Sequence, residues 1–227
     1  MNLTTGDVAA RIEHTLLKPE ATPGQIDLLC DQAVEYGFVG VCVNPIYVGR
    51  AAERLRTHAT ARVRVVSVAG FPLGANLSAA KADEARRALD SGADEIDMVA
   101  PLGALAAGDG KSVRSDIEAV AHVVHGFSAG KLLKVILETA ALSEERIILG
   151  CRCCAEGEAD FVKTSTGFHP AGGANVGHVR LLYRHASPML VKASGGIRTA
   201  AAAMAMIEAG ATRIGTSSGV AIMRELR

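Results

Sequence analysis

The chain has 227 residues, 49% of them hydrophobic and 21% charged, so it is long enough to bury one sizeable core. Lysine plus arginine and aspartate plus glutamate each total 24, and this balance gives no reason to expect a nucleic-acid or membrane-surface partner. No apolar run approaches the length of a membrane span, and the first residues lack the pattern of a signal peptide. We therefore expect a small-molecule partner and a cytoplasmic location.

The order of the predicted elements comes from apolar, strand-like runs that alternate with amphipathic or alanine-rich helical stretches. No flexible linker interrupts this alternation, which indicates repeated βα units. The predicted strands cover residues 12–17, 38–43, 63–68, 95–99, 132–138, 160–164, 189–193 and 213–216. Eight such units predict an α/β fold, a (β/α)8 TIM barrel formed by one domain over residues 1–227, with its chemistry at the C-terminal ends of the strands.

Capping signals support the helices between these strands. Thr22 to Gln25 form a capping box with a proline in the first turn, and two glutamates follow Ser143 at a predicted helix start. Glycines that predict helix ends stand at positions 37, 92, 157 and 210. The five cysteines match neither a disulfide framework nor paired zinc ligands, and those at 151, 153 and 154 predict helix packing.

Two lysines stand in similar apolar surroundings near the ends of the sixth and seventh predicted strands. Lys163 lies in an apolar run that ends in small residues, and a buried ammonium is costly unless it is paired, neutralised or used. Lys192 repeats this setting, and its charge would lower the pKa of Lys163, whose neutral amine could then attack a carbonyl. The alternatives are a Lys163 head group that reaches water and a Lys192 that binds phosphate.

Asp97 lies in the middle of the fourth predicted strand. Alternation along a strand gives Glu95, Asp97 and Val99 one face and the residues between them the other. If the odd positions face the barrel interior, Asp97 lies near the lysines and can transfer protons as a carbinolamine forms and loses water. The alternative is a structural ion pair with a lysine.

Glycine and serine clusters follow the seventh and eighth predicted strands. One contains Gly195 and Gly196 before a helix that opens near Thr199, and the other contains Ser217 and Ser218 before a short terminal helix. Backbone amides at helix starts favour anions, and the loops after strands seven and eight commonly bind phosphate in this fold. The pattern predicts a phosphorylated substrate, although each cluster alone is also ordinary turn chemistry.

Seven collinear segments together resemble the deoxyribose-phosphate aldolase family. They are IEHTLLKP at 12–19, VCVNP at 41–45, GFPLGAN at 70–76, DMV at 97–99, KVILET at 134–139, FVKTSTG at 161–167 and VKASGGIR at 191–198. The resemblance implies a class I (β/α)8 aldolase that uses no metal and reversibly cleaves 2-deoxy-D-ribose 5-phosphate to acetaldehyde and D-glyceraldehyde 3-phosphate, in deoxyribose phosphate catabolism. The chain departs from the usual family pattern at Glu13, Pro101 and Ala106, where the pattern has aspartate, asparagine and lysine.

The matched positions also imply individual roles. Lys163 would form the Schiff base, Lys192 would tune its reactivity and Asp97 would act in a proton relay. The residues that would hold the phosphate are Gly167, Gly195, Gly196, Ser217 and Ser218.

Three other functions use parts of the same pattern. A Schiff-base aldolase for a longer sugar phosphate would share the chemistry, and a non-catalytic phosphate-binding barrel would share the fold. Retention of both lysines and Asp97 disfavours the non-catalytic barrel, because an unused buried cation destabilises its strand. A metal-dependent aldolase is disfavoured because no set of histidines and carboxylates stands at the strand ends. We expect no cofactor, no nucleic-acid or membrane partner, and a homodimer or homotetramer.

Overall fold

Eight parallel strands form the centre of the molecule in the computed structural model, which describes residues 3–58 and 62–227. The strands pair in chain order, and the eighth pairs with the first, which closes the sheet into a barrel. The predicted (β/α)8 barrel is therefore confirmed. Among the described residues, we find no helix with both the length and the apolar character that a membrane crossing requires.

The helices and strands follow one another as the sequence pattern predicts. The strands are β1 (Ile12–Leu16), β2 (Gly40–Val43), β3 (Arg64–Ala69), β4 (Glu95–Val99), β5 (Leu132–Ile136), β6 (Phe161–Lys163), β7 (Leu190–Ser194) and β8 (Arg213–Thr216). The α-helices of the described residues are α1 (Thr5–Ala9), α2 (Pro23–Tyr36), α3 (Val48–Arg56), α4 (Ser78–Asp90), α5 (Leu102–Ala107), α6 (Gly110–Phe127), α7 (Glu144–Glu156), α8 (Val176–His185), α9 (Ala200–Glu208) and α10 (Gly219–Glu225). Short 3-10 turns follow β2 (Pro45–Tyr47) and β5 (Thr139–Ala141).

Some strand limits differ from the predicted ones by one or two residues. β2 begins at Gly40 rather than at Phe38, because the Phe38 N–H still donates to the Ala33 carbonyl at 2.8 Å in the turn that ends α2. β5 ends at Ile136, two residues early, because the backbone turns at Glu138, whose φ is 55°. These limits depend on tertiary turns that apolar patterning does not record.

The predicted helix caps mostly occur where expected. The Thr22 N–H donates to Gln25 Oε1 at 2.8 Å, and Ser143 Oγ accepts from the Arg146 N–H at 3.4 Å. Gly37 ends α2 in the left-handed conformation at φ 69°. Gly157 ends α7 at φ −90°, and a Cβ there would lie 2.8 Å from Ile117 Cγ2, so close packing and not backbone freedom requires this glycine.

Side-chain alternation along the strands separates an outer apolar layer from the barrel interior. Ile96 and Met98 of β4 belong to the main hydrophobic core with the surrounding helices, whereas Glu95 and Asp97 are fully buried in contact with lysines. The predicted inward phase of the odd positions in β4 is thus confirmed by their contacts. The barrel interior therefore holds charged groups that the helices screen from water.

Candidate active site

One carboxylate, that of Asp97, contacts three lysines of neighbouring strands. The register pairs Asp97 of β4 with Lys134 of β5, and Lys163 of β6 with Lys192 of β7. Asp97 Oδ1 accepts from Lys134 Nζ at 2.8 Å, and Asp97 Oδ2 accepts from Lys163 Nζ at 2.7 Å and from Lys192 Nζ at 2.6 Å. The structure thus brings together the three predicted catalytic residues and adds a third lysine.

Asp97 is held as a carboxylate by these cations. Burial alone would raise its pKa, but the charges of Lys134, Lys163 and Lys192 hold the pKa of Asp97 well below its usual range. An ionised carboxylate with lysine donors on both oxygens can accept a proton and return it to any of the three.

The two predicted lysines of the site have opposite electrostatic character. Burial is the main cause that lowers the pKa of Lys163; the Asp97 carboxylate opposes it, and the Lys192 charge adds to it. Lys192 is buried as well, but Asp97 and Glu13 together raise its pKa above the usual value. Lys192 therefore stays a cation, and Lys163 is the one of the two that more readily becomes an amine.

Glu13 contributes to this asymmetry through a contact that the sequence did not indicate. Its buried carboxylate binds Lys192 Nζ directly and lies 3.6 Å from Lys134 Nζ. Glutamate is one methylene longer than the aspartate of the usual family pattern, and its carboxylate reaches the lysines in the barrel interior. Lys134 could have been found from the sequence, because it stands in an apolar strand run as Lys163 does.

A cavity of about 360 Å³ opens at the C-terminal ends of the strands, and Lys163 reaches its wall. Asp97 and Lys192 are not part of that wall and lie buried around Lys163. This arrangement disfavours the alternative in which Lys192 binds phosphate, since its ammonium contacts two carboxylates and does not line this cavity. Lys163 can meet a substrate while its partners remain dry.

Most of the predicted phosphate residues line the same cavity. They are Gly167, Gly195, Gly196 and Ser217. Ser218 is not in the wall: it stands at the N-cap of α10, where its N–H donates to Thr216 Oγ1 at 2.9 Å. Two basic residues that the sequence analysis did not single out, Lys18 and Arg198, also line the cavity.

Glycines let the loops after β6 and β7 pack backbone against backbone. Gly167 and Gly195 have φ values of 83° and 92°, and a Cβ on Gly195 would lie 3.0 Å from the Gly173 Cα. On the preceding turn, the Glu138 carboxylate accepts from the Thr166 N–H at 3.2 Å and also from its hydroxyl. These contacts fix the cavity wall next to Lys163.

Part of the barrel interior is apolar. A small buried cluster on β1 to β3 and the loops that follow comprises Leu17, Cys42, Val66 and Val68, with Phe71 packed against it. Burial raises the pKa of the Cys42 thiol to about 11, so this sulfur is neutral. Leu17 is the member of this cluster that also lines the cavity, so Lys163 and an apolar side chain share its wall.

A comparison with known families gives this geometry its context. Residues 11–225 match the family described as DeoC/LacD family aldolase. The chain belongs to this aldolase family. The family resemblance expected from the seven sequence segments is thereby confirmed, and the lysine cluster is the candidate active site of a DeoC/LacD aldolase.

Relatives of this DeoC/LacD aldolase match it along nearly their whole length. A deoxyribose-phosphate aldolase of Thermococcus gammatolerans is 54% identical over 222 residues, 97% of each chain. One from Mycobacterium avium is 50% identical over 228 residues, 98% of each. Among solved structures, the tetrameric deoxyribose phosphate aldolase of Aeropyrum pernix has a TM-score of 0.89 at 34% identity and covers 97% of this chain and 91% of its own.

The described residues contain no group of three or more histidine, cysteine, aspartate or glutamate side chains arranged to hold a metal ion. Cys151, Cys153 and Cys154 are buried in α7 within the hydrophobic core, as the sequence predicted. That the reaction needs no metal or cofactor stays a prediction.

Proposed function

We propose that the chain is a deoxyribose-phosphate aldolase, a lyase that reversibly cleaves 2-deoxy-D-ribose 5-phosphate to acetaldehyde and D-glyceraldehyde 3-phosphate. The observation that carries this proposal is Lys163, a buried lysine with a lowered pKa that reaches the wall of the cavity. Membership of the family, and the names of relatives that are 50% and 54% identical to this chain, support this choice of substrate. The reaction serves the catabolism of deoxyribose phosphate.

Lys163 begins the cleavage by attacking the aldehyde carbon of the open-chain sugar. The resulting carbinolamine loses water to give an iminium, which withdraws electrons from the C2–C3 bond. A base takes the proton of the C3 hydroxyl, the C2–C3 bond breaks, and D-glyceraldehyde 3-phosphate leaves. The enamine that stays on Lys163 is protonated at C2, and water releases acetaldehyde and the free amine.

Asp97 and Lys192 move the protons of the carbinolamine steps. Both Lys163 and Lys192 contact the same oxygen, Asp97 Oδ2, so one carboxylate can carry a proton between the Lys192 ammonium and the neutral nitrogen of Lys163. The Glu13 contact keeps Lys192 charged and able to donate. The roles of all three residues are part of the proposal.

The cavity offers a separate surface to each end of the substrate. Gly167, Gly195, Gly196 and Ser217 supply backbone and hydroxyl donors to the phosphate, and Lys18 and Arg198 add positive charge at the cavity wall. Leu17, the one member of the buried apolar cluster that lines the cavity, offers an apolar contact to the two-carbon acetaldehyde unit, which carries no hydroxyl. Ser218 supports this loop from the N-cap of α10.

Reductive trapping tests the proposal. Incubation with acetaldehyde and borohydride should add one ethyl group to Lys163, located by peptide mapping, and Lys163→Ala should remain unlabelled. Cleavage of 2-deoxy-D-ribose 5-phosphate is measured alongside. Labelling of Lys163→Ala at the wild-type level would contradict the assignment, and cleavage of only a longer sugar phosphate would favour the alternative Schiff-base aldolase.

We also infer that the chain forms a homo-oligomer in the cytoplasm. The Aeropyrum pernix relative is described as a tetramer, which supports assembly, and the predicted alternatives are a dimer and a tetramer. Light scattering after size-exclusion chromatography distinguishes a monomer, which would contradict the inference, from both assemblies.

A further inference from the structure

The barrel interior holds more charge than the two lysines and one carboxylate of the proposed reaction need. Charged side chains from seven strands face it, and β2 contributes the neutral thiol of Cys42. The charged residues are Glu13 of β1, Arg64 of β3, Glu95 and Asp97 of β4, Lys134 of β5, Lys163 of β6, Lys192 of β7 and Arg213 of β8.

These charges balance when Lys163 is neutral. The three buried carboxylates, Glu13, Glu95 and Asp97, are fully covered. Three cations contact these carboxylates: the buried lysines Lys134 and Lys192, and Arg213, whose side chain is 12% exposed. Arg64 binds Glu95 from the rim but is 42% exposed, so water screens it. Because an unmatched buried charge is costly, a protonated Lys163 would add an excess cation to a balanced interior.

Lys134 is the cation that joins all three carboxylates. Its Nζ lies 2.6 Å from Glu95 Oε2, 2.8 Å from Asp97 Oδ1 and 3.6 Å from Glu13 Oε1. The Glu95 contact is an ion pair without the alignment of a directed hydrogen bond. Lys134 is fully buried and absent from the cavity wall, so it does not touch a substrate.

We propose that Lys134 is a positioning residue of the aldolase reaction: it occupies Asp97 Oδ1 and completes the charge balance of the barrel interior, which leaves Lys163 as the uncharged amine. The inference rests on the proposed role of Lys163 as the Schiff-base lysine. It extends that role because Lys192 alone does not offset the three carboxylates. The attraction of Lys134 is also the first of the charge effects that lower the pKa of Asp97.

When Lys134 is replaced by a neutral residue, we expect Lys163 to bind a proton more readily. Lys134→Met keeps most of the length and buried volume but leaves three carboxylates with two buried cations, Lys192 and Arg213. Protonation of Lys163 restores the balance, so its amine should appear only at higher pH. We expect the pH profile of reductive trapping at Lys163 to move at least one unit toward alkaline pH, and trapping at neutral pH to fall about tenfold or more, with recovery at high pH.

Two companion variants separate charge balance from lost contacts. Glu95→Gln removes one carboxylate and should move the Lys163 profile toward acid pH, opposite to Lys134→Met. The double variant Lys134→Met/Glu95→Gln removes one charge of each sign and should return the profile close to that of the wild type. A structural role for Lys134 predicts neither the opposite shift nor the return.

Lys81 provides a matched control. It is also fully buried and paired with a carboxylate, Asp116 at 2.7 Å, but its ammonium donates to the Val99 carbonyl at 2.9 Å and contacts none of the interior carboxylates. Lys81→Met should lower the melting temperature and leave the pH profile of trapping unmoved. An equal shift in this variant would overturn the proposal.

The remaining outcomes distinguish the two proposals. An unmoved profile in Lys134→Met overturns the role of Lys134 and leaves the Schiff base intact. If Lys134→Met does not fold, a Glu95→Gln profile that stays unmoved or shifts toward alkaline pH overturns it instead. Absence of trapping at Lys163 in the wild type contradicts the proposed function itself.

Discussion

At the scale of single residues, Asp97 combines complete burial with contacts to three lysines. The Nζ atoms of three lysines lie within 2.8 Å of its two oxygens, and its carboxylate is fully buried. In the proposed reaction this carboxylate accepts protons, and in the folded protein it is the counter-charge of the cluster. A substitution there therefore affects chemistry and stability together.

We expect Asp97→Asn to slow turnover by roughly 10²-fold or more, because the amide cannot carry protons between Lys163 and Lys192. The same variant should lose stability by about 3–5 kcal/mol, the range for breaking a buried ion pair, since three lysines keep their positions without a counter-charge. Steady-state kinetics and urea unfolding measure the two effects. Turnover near that of the wild type would leave Asp97 with only a structural role.

Lys192→Leu tests how the second lysine acts. Like charges disfavour the protonated form of Lys163, so removal of Lys192 should raise the pKa of Lys163 and shift activity to alkaline pH. We expect a loss at neutral pH and partial recovery at high pH in kcat and kcat/KM. A raised KM with an unmoved alkaline limb would instead identify a phosphate contact.

At the scale of elements, the loops after β6, β7 and β8 each contribute different residues to the cavity wall. The loop after β6 carries Gly167 and is held by Glu138, and the loop after β8 presents Ser217 while Ser218 stands at the N-cap position of α10. Neighbouring serines thus have different surroundings in spite of their identical chemistry.

This difference gives a prediction with an internal control. Ser217→Asp puts a carboxylate in the cavity wall and should raise KM for the phosphorylated sugar by tenfold or more, about 1.4 kcal/mol, but little for unphosphorylated 2-deoxyribose. Ser218→Asp, one residue behind the wall, should have a smaller effect on the same ratio. Equal losses on both substrates in Ser217→Asp would mean that this loop does not bind phosphate.

At the scale of the whole molecule, the buried ions make stability depend on pH. Glu95 has its pKa lowered from 4.5 to about 2 by Lys134 and Arg213 against the opposing effect of burial, and the pKa of Asp97 is lowered too. A carboxylate with a lowered folded-state pKa binds fewer protons folded than unfolded, so its stabilisation is complete above the unfolded value and is lost as pH falls.

We therefore expect the free energy of unfolding to fall steeply between about pH 4.5 and pH 2, as Glu95 and Asp97 take up protons on unfolding. Urea titrations at several pH values measure the slope. Glu95→Gln should be less stable at neutral pH and show a shallower slope in this range. An unchanged slope would assign acid unfolding to the surface carboxylates.

Sequence patterning was sufficient for features that depend on local periodicity. The alternation of β4 put Asp97 inside the barrel, and the apolar runs around Lys163 and Lys192 put both lysines near the ends of adjacent strands. These inferences held because strand alternation and the order of parallel strands are fixed by the chain itself. The end of β5 could not be predicted from local periodicity, because the turn at Glu138 depends on its contact with Thr166.

The sequence by itself determined the barrel fold, the family and the two candidate lysines Lys163 and Lys192, since each follows from patterns along the chain. Only the tertiary structure decided that Lys134 and Glu13 belong to the same cluster, that Lys192 faces carboxylates, and that Ser218 stands behind the cavity wall. The physical reason is that charge balance is a property of side chains brought together from seven strands of the barrel. Neither the sign nor the size of a pKa shift exists until the closed barrel excludes water from those groups.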